Sequence, residues 1–115
     1  MEMANAEDKA IIITFGAKWC LPCKEMYKNV FPDPEVSSLL EKHFIWLKMD
    51  ANDLEAISMK QIYNVEAYPT TLFLLPNGDE FDRYEEGISL DRMKKILDQN
   101  TLQNQPDFSG ETESI

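Results

Sequence analysis

The sequence predicts a single α/β domain, and two features of the chain support this prediction. Apolar, β-rich stretches alternate with stretches of helical composition, in the order β-α-β-α-β-β-α. The chain has 115 residues, enough for one domain with a modest core and too few for two. We therefore expect one sheet packed against helices.

The first strand and the two helices after it carry clear local signals. Ala10–Phe15 (AIIITF) is a continuous β-rich run, typical of a strand that is buried on both faces of a sheet. The sequence becomes helical at Cys20, and Pro22 suits a first helical turn. The segment FPDP at 31–34 interrupts this helix. Asp33, followed by a proline, is then expected to cap a second helix.

The second half of the chain predicts three more strands and two helices. The strands are expected at 44–49, 70–75 and 80–84, and PNGD at 76–79 predicts the hairpin turn between the last two. The imperfect alternation of the last strand indicates an edge strand. Asn52 and Glu55 resemble a capping box for a helix that carries Leu54 and Ile57 inward. Ser89 is expected to cap the final helix, which packs on the sheet through Leu90, Met93, Ile96 and Leu97.

The composition changes near the C-terminus. Residues 103–115 are polar, contain proline and glycine, and lack periodicity. We predict a domain over residues 1–102 and a polar tail over 103–115.

Charge and hydropathy exclude several classes of partner. The net charge of −10 argues against nucleic acid and against anionic membrane surfaces. The longest apolar run is far shorter than the roughly 20 residues that a membrane span needs, so no span is expected. No basic segment followed by an apolar run opens the chain. A leader is therefore expected to be absent or already removed.

Both cysteines of the chain lie in the stretch KWCLPCKE, as Cys20 and Cys23. Two cysteines are too few for a disulfide scaffold, and the short loop that they close would stabilise little. Zinc needs about four ligands, and the single histidine, His43, is distant in sequence, so no metal is expected. A half-site shared across a dimer is the alternative. Redox chemistry is the leading interpretation.

The position of the pair between a strand and a helix indicates how it would react. A helix N-terminus favours a thiolate, so Cys20 is expected to be the exposed nucleophile with a lowered pKa. Cys23, one turn further, is expected to be shielded and to resolve the mixed disulfide. The structural alternative is two small buried side chains near a helix start, with Trp19 as ordinary packing.

At this point the chain resembles the thioredoxin family. The resemblance rests on Ile12–Phe15, Ala17–Lys24, Ala67–Phe73 and Gly87, and it extends over residues 10–100. It implies the thioredoxin fold, in which helices flank both faces of a central mixed β-sheet. The segment KNVFPDPEV further resembles the thioredoxin-like domains of bacterial extracytoplasmic thiol–disulfide interchange proteins.

The resemblance also implies which residues support the cysteines. These are Trp19, Leu21, Pro22, Lys24, Tyr68 and Pro69, with a cis Tyr68–Pro69 bond facing the cysteines and helping to bind substrate backbone. The sequence alone favours a trans bond there, because only about 5–6% of X–Pro bonds are cis. No cofactor beyond the redox-active disulfide is implied.

The chain departs from the family pattern in two places. Thr14 stands where the family usually has a buried acid that accepts a proton from the second cysteine, and Gly16 stands where a tryptophan is usual. Proton removal from Cys23 is then left to water, to a remote carboxylate such as Glu25, or to no dedicated group. Lys48, near the usual position of the acid's lysine partner, is expected to be a solvated strand residue.

These observations predict a thiol–disulfide oxidoreductase that reduces protein disulfides. The alternatives are a disulfide isomerase or oxidant, and a binding module that keeps the motif without using it. The expected partners are disulfide-bearing proteins and an unidentified electron donor, and the chain is expected to be a monomer. A periplasmic location, with a leader removed, is favoured over the cytosol.

Overall fold

The structure, a computed structural model, describes residues 9–101, and these form a mixed four-stranded sheet flanked by helices. The strands are β1 (Ala10–Gly16), β2 (Phe44–Asp50), β3 (Thr70–Leu74) and β4 (Glu80–Tyr84), in the spatial order β2-β1-β3-β4. β1 pairs with β2 in parallel and with β3 antiparallel, and β3 pairs antiparallel with β4 at the edge. The predicted fold class is confirmed. The predicted boundary at residue 102 and the tail lie outside the described residues.

The helices alternate with the strands as predicted. They are α1 (Leu21–Glu25), which continues as a π-helical segment (Met26–Val30), α2 (Pro34–His43), α3 (Leu54–Tyr63) and α4 (Leu90–Asn100). The predicted interruption at 31–34 is confirmed. Asp33 caps α2 through Oδ2, which accepts hydrogen bonds from the backbone N–H groups of Glu35 at 3.0 Å and Val36 at 3.2 Å. Ser89 caps α4 in the same way.

The core lies on both faces of β1, which is buried along its whole length. One face carries Ile12 and packs against the π-helical segment, α2 and α4. The other carries Ile11 and Ile13 and packs against the α3 side of the sheet. Successive strand residues point to opposite faces, so a continuous apolar run needs cover on both.

The orientation predicted for α3 is wrong. The cap is Asp53 rather than Asn52, and Leu54 and Ile57 are 82% and 47% exposed instead of facing inward. The apolar residues of this segment surround the helix, so their pattern does not define one face. The side that turns toward the sheet consists of residues three and four positions apart: Ala56, Met59 and Tyr63.

Candidate active site

The two cysteines lie at the start of α1, directly after the C-terminal end of β1. They form a disulfide with a Cα–Cα distance of 5.3 Å, within the usual range for such a bond. Cys20 is the N-cap residue of α1, and its Sγ accepts a hydrogen bond from the Cys23 N–H at 3.2 Å. Pro22 occupies the first turn, where a missing N–H is no loss to the helix. The redox pair therefore sits at a helix N-terminus, as the sequence predicts.

Both cysteines are buried. Cys20 is 4% exposed and Cys23 is 1% exposed, so the predicted exposure of Cys20 is wrong, although Cys20 is the less buried of the two. They pack with Ala17, and Tyr27 and Tyr68 cover this small cluster. A disulfide is uncharged and packs as an apolar group, which explains why the pair lies beneath these rings.

An exposed apolar pair stands beside the disulfide. The side chains of Trp19 and Leu21 are 73% and 74% exposed. The Trp19 ring meets the Tyr68 ring edge-on, with 5.7 Å between the ring centroids. The Tyr68–Pro69 bond is cis, which confirms the expectation drawn from the family resemblance. Trp19 and Leu21 thus present apolar surface to any chain that approaches the cysteines.

Two further contacts hold the loops around the pair. Thr70 Oγ1 donates a hydrogen bond of 2.7 Å to the Ala67 carbonyl and so fixes the loop that carries Pro69. A Cβ added at Gly87 would lie 3.3 Å from Pro22 Cβ, so the loop before α4 passes close against the motif. Lys24 is exposed in the last turn of α1.

Thr14 is fully buried and already has a partner. Its Oγ1 accepts a hydrogen bond from Trp46 Nε1 at 3.0 Å, and the Trp46 ring stacks on Phe31 with 4.4 Å between centroids. Glu25, the predicted alternative base, is exposed and accepts a hydrogen bond from Asn29 at 2.7 Å. Residues two positions apart on a helix do not face each other, so Glu25 points away from Cys23.

Tyr27 is the residue that sequence reasoning missed. It lies four residues after Cys23, on the same helical face, and its ring covers the cysteine cluster. A Cβ at Gly16 would come within 2.7 Å of Tyr27 Oη, so the ring uses the space that the glycine leaves. Two features of the sequence indicate Tyr27: its spacing of four residues from Cys23 and the missing side chain at Gly16.

The surroundings of Tyr27 suppress its ionisation. Burial, and secondly the negative charge of Asp50, raise the pKa of Tyr27 to about 12. The Lys48 Nζ lies 4.1 Å from the centroid of the Tyr27 ring. Lys48 is exposed as predicted, but it contacts this ring. Tyr27 Oη is buried and has no hydrogen-bond partner among residues 9–101.

In the described part of the chain, no group of three or more His, Cys, Asp or Glu side chains is arranged to hold a metal ion. None of the helices within residues 9–101 has the length and apolar character to cross a membrane.

Comparison with known proteins gives consistent matches. A family model described as a thioredoxin-like domain matches residues 1–101. The thiol:disulfide interchange protein DsbD of Pseudoalteromonas atlantica is 34% identical over 79 residues, which are 67% of this chain and 13% of that protein. DsbD of Escherichia coli K12 is 32% identical over 79 residues, which are 68% of this chain and 14% of that protein. The chain thus spans about one-seventh of the length of these relatives.

Solved structures share the fold. A thioredoxin from Thermus thermophilus superposes with a TM-score of 0.80 at 25% identity, covering 97% of this chain and 88% of that one. The reduced C-terminal domain of DsbD from Neisseria meningitidis superposes with a TM-score of 0.70 at 21% identity, covering 86% of this chain and 88% of that one.

A C-x-x-C disulfide that follows the first strand of this fold and begins a helix defines a redox pair of the thiol–disulfide oxidoreductase class. The chain belongs to the thioredoxin-like domain family.

Proposed function

We propose that this protein reduces protein disulfides, with Cys20 as the nucleophile and Cys23 as the resolving thiol. The observation that carries the proposal is the Cys20–Cys23 disulfide at the start of α1, packed beneath Tyr68 of the cis Tyr68–Pro69 loop. The similarity to thiol:disulfide interchange proteins supports the same reaction class.

The reaction consists of two thiol–disulfide exchanges. In the reduced protein, the Cys20 thiolate attacks one sulfur of the substrate disulfide, the substrate S–S bond breaks, and the other substrate sulfur leaves as a thiolate. The Cys23 thiolate then attacks the Cys20 sulfur and releases the second substrate thiol. The substrate gains two electrons and two protons, and the protein is left with its disulfide. An electron donor must then reduce the pair to complete a turnover.

In this scheme, the Cys23 thiol transfers its proton to water. Thr14 cannot act as a base, and its oxygen already accepts the Trp46 hydrogen bond. Glu25 faces away from the buried cysteine. We place the substrate backbone against Trp19, Leu21, Pro22, Lys24 and Tyr68, and beside the cis bond to Pro69, which is itself buried.

An insulin-reduction assay tests the activity. The wild-type protein should accelerate reduction by dithiothreitol, and Cys20→Ser should abolish the acceleration. Cys23→Ser should accumulate a mixed disulfide with the substrate. Equal rates for wild type and Cys20→Ser would instead support the alternative of a non-catalytic binding module.

Alkylation of the reduced protein tests the two roles. Cys20 is the less buried thiol and lies at the helix start, so iodoacetamide at neutral pH should label it before Cys23. Mass spectrometry that finds Cys23 labelled first would reverse the assignment.

Redox titration against glutathione tests whether the protein acts as a reductant or as an oxidant of its substrates. We expect a reduction potential between those of thioredoxin and protein disulfide isomerase, roughly −270 to −180 mV and nearer the lower end. The proline before the second cysteine, which by resemblance accompanies reductants, motivates this expectation. A value near −120 mV would identify an oxidant.

The location and assembly state are part of the proposal. We propose a periplasmic location, supported by the similarity to thiol:disulfide interchange proteins, and a monomeric protein. Fractionation of the native host with an antibody against this chain tests the location, and light scattering tests the assembly state. Recovery in the cytosolic fraction, or the mass of a dimer, would contradict the respective statement.

A further inference from the structure

Four lysines line two clefts on either side of α1. Lys18, Lys24 and Lys48 line a cleft of about 390 Å³, together with Gly16 and Tyr27. Lys24 and Lys28 line a second cleft of about 410 Å³ beside Leu21 and Pro22. We call Lys18, Lys24, Lys28 and Lys48 the lysine rim. The rim borders the surface that carries the redox motif.

Within the described part of the chain, no ion pair neutralises the lysine rim. Among residues 9–101, no carboxylate forms an ion pair with any of the four lysines, whereas Arg83, Arg92 and Lys94 each pair with a glutamate. The rim therefore keeps its positive charge available for a bound chain.

Two carboxylates line the clefts beside the rim, and both already accept hydrogen bonds. Asp50 and Glu25 are the acidic residues that line the two clefts. Asp50 accepts a hydrogen bond from the Asn52 N–H at 2.9 Å, and Glu25 accepts one from Asn29 at 2.7 Å. Four lysines and two carboxylates line the clefts, so this lining carries an excess of positive charge in a chain whose net charge is −10.

We propose that the lysine rim binds acidic side chains of the polypeptide that carries the target disulfide. The inference rests on the proposed function, because disulfide exchange brings that polypeptide against Trp19 and Leu21, next to the rim. Complementary charge steers such a partner and selects it over basic ones. Nucleic acid, the other common polyanion, carries no disulfide and so is not a substrate of the neighbouring redox pair.

Matched disulfide peptides test the inference. Three peptides of equal length carry the same intramolecular disulfide, flanked by glutamate, by glutamine or by lysine. The second-order rate constant for each is measured with the reduced protein and divided by that for dithiothreitol. The only charge on dithiothreitol is that of its attacking thiolate, so the division removes differences in the reactivity of the disulfides themselves. We expect the normalised rate for the glutamate peptide to exceed that for the glutamine peptide by about 3- to 10-fold, and the lysine peptide to be slowest.

High salt and charge-removing variants test whether the lysine rim causes the preference for the glutamate peptide. At 1 M salt, where the screening length is about 3 Å, the three normalised rates should converge. The triple variant Lys18→Gln, Lys28→Gln, Lys48→Gln should lower the glutamate-to-glutamine ratio to about 1 to 2, since each exposed pair contributes about 1.5- to 5-fold. The control Lys42→Gln, Lys95→Gln removes exposed lysines of α2 and α4 and should keep the wild-type ratio.

The outcomes separate the inference from the proposed function. Reduction of all three peptides at equal normalised rates would overturn the inference and leave the proposed function standing. Failure to reduce any peptide would overturn the proposed function itself. A preference that the control variant removes as effectively as the triple variant would show that overall charge, and not the lysine rim, selects the partner.

Discussion

Thr14 and Thr71 are cross-strand neighbours on β1 and β3, and both are buried. They differ in one respect. Thr14 Oγ1 accepts the hydrogen bond from Trp46 Nε1, whereas Thr71 Oγ1 has no partner among residues 9–101. Leaving a buried polar group without its hydrogen-bond partner lowers the stability of the fold. Replacing a buried polar group that already lacks a partner by an apolar one does not lower the stability and can raise it.

Valine substitutions at these two positions should therefore have opposite effects. Thr14→Val should lower the free energy of unfolding by about 1 to 2 kcal/mol, because Trp46 Nε1 loses its acceptor. Thr71→Val should leave the free energy unchanged or raise it by up to about 1 kcal/mol. Urea unfolding of the two variants at pH 7 measures the difference. Equal losses would indicate that Thr71 also has a partner.

Gly16 and Tyr27 form a second pair, and a double-mutant cycle can measure the coupling between them. Gly16→Ala places a Cβ 2.7 Å from Tyr27 Oη and should cost about 1 to 2 kcal/mol of stability. Tyr27→Phe removes the oxygen, and the nearest ring atoms then lie at 3.3 and 3.4 Å, so the alanine should cost less. We expect a coupling free energy of about 0.5 kcal/mol or more. Additive effects would mean that the contact with Tyr27 does not determine the choice of glycine.

Among the elements, Arg83 joins the edge strand β4 to the end of α3. Its Nη2 donates to the Tyr63 carbonyl and its Nη1 to the Asn64 carbonyl at 3.3 Å. These carbonyls are the ones that a helix leaves without internal partners. Glu80 accepts from Arg83 Nε at 2.7 Å, and this hydrogen bond is the main cause of the raised pKa of the guanidinium. One side chain thus ties a helix end to the sheet.

Replacing the guanidinium tests this link. Arg83→Lys keeps the charge but loses the planar fork of donors, and it should lower the free energy of unfolding by about 1 to 2 kcal/mol. Arg92→Lys is the matched control, because Arg92 makes an ion pair with Glu86 at 3.4 Å on the surface. The control should cost less than about 0.5 kcal/mol. Similar losses in both variants would assign the effect to general surface charge.

The whole molecule should lose stability at alkaline pH. Burial raises the pKa of Tyr27 and of Tyr84 to about 12, and it raises the pKa of Tyr63 as well. In the unfolded chain these phenols ionise near their usual pKa of about 10, so between pH 10 and 12 the folded state binds more protons. The stability that the protonated phenols contribute is fully present below pH 10 and is lost as the pH rises toward 12.

Denaturant unfolding at several pH values measures this loss. The free energy of unfolding of the wild type should fall between pH 10 and 12, and the double variant Tyr27→Phe, Tyr84→Phe should fall less steeply in that window. A curve of the same slope in both proteins would show that other groups cause the alkaline sensitivity.

Much of the architecture follows from signals that are local in the chain. The buried run of β1, the caps at Asp33 and Ser89, and the turn at 76–79 each depend on neighbouring residues, so composition and spacing reveal them. The redox pair is equally local, because its place between a strand and a helix can be read from one stretch. The orientation of α3 was not predictable, since its apolar residues surround the helix and only packing against the sheet selects a face.

The sequence by itself determined the order of the elements, the two cysteines at the start of α1 and the absence of a carboxylate at position 14. Only the tertiary structure decided that Cys20 is buried, that Tyr27 lies over Gly16, and that four lysines line the clefts beside the motif. Each of these features joins residues from separate elements, such as Gly16 on β1 with Tyr27 beyond α1. Their contacts arise only when the helices pack on the sheet, so no stretch of sequence contains them.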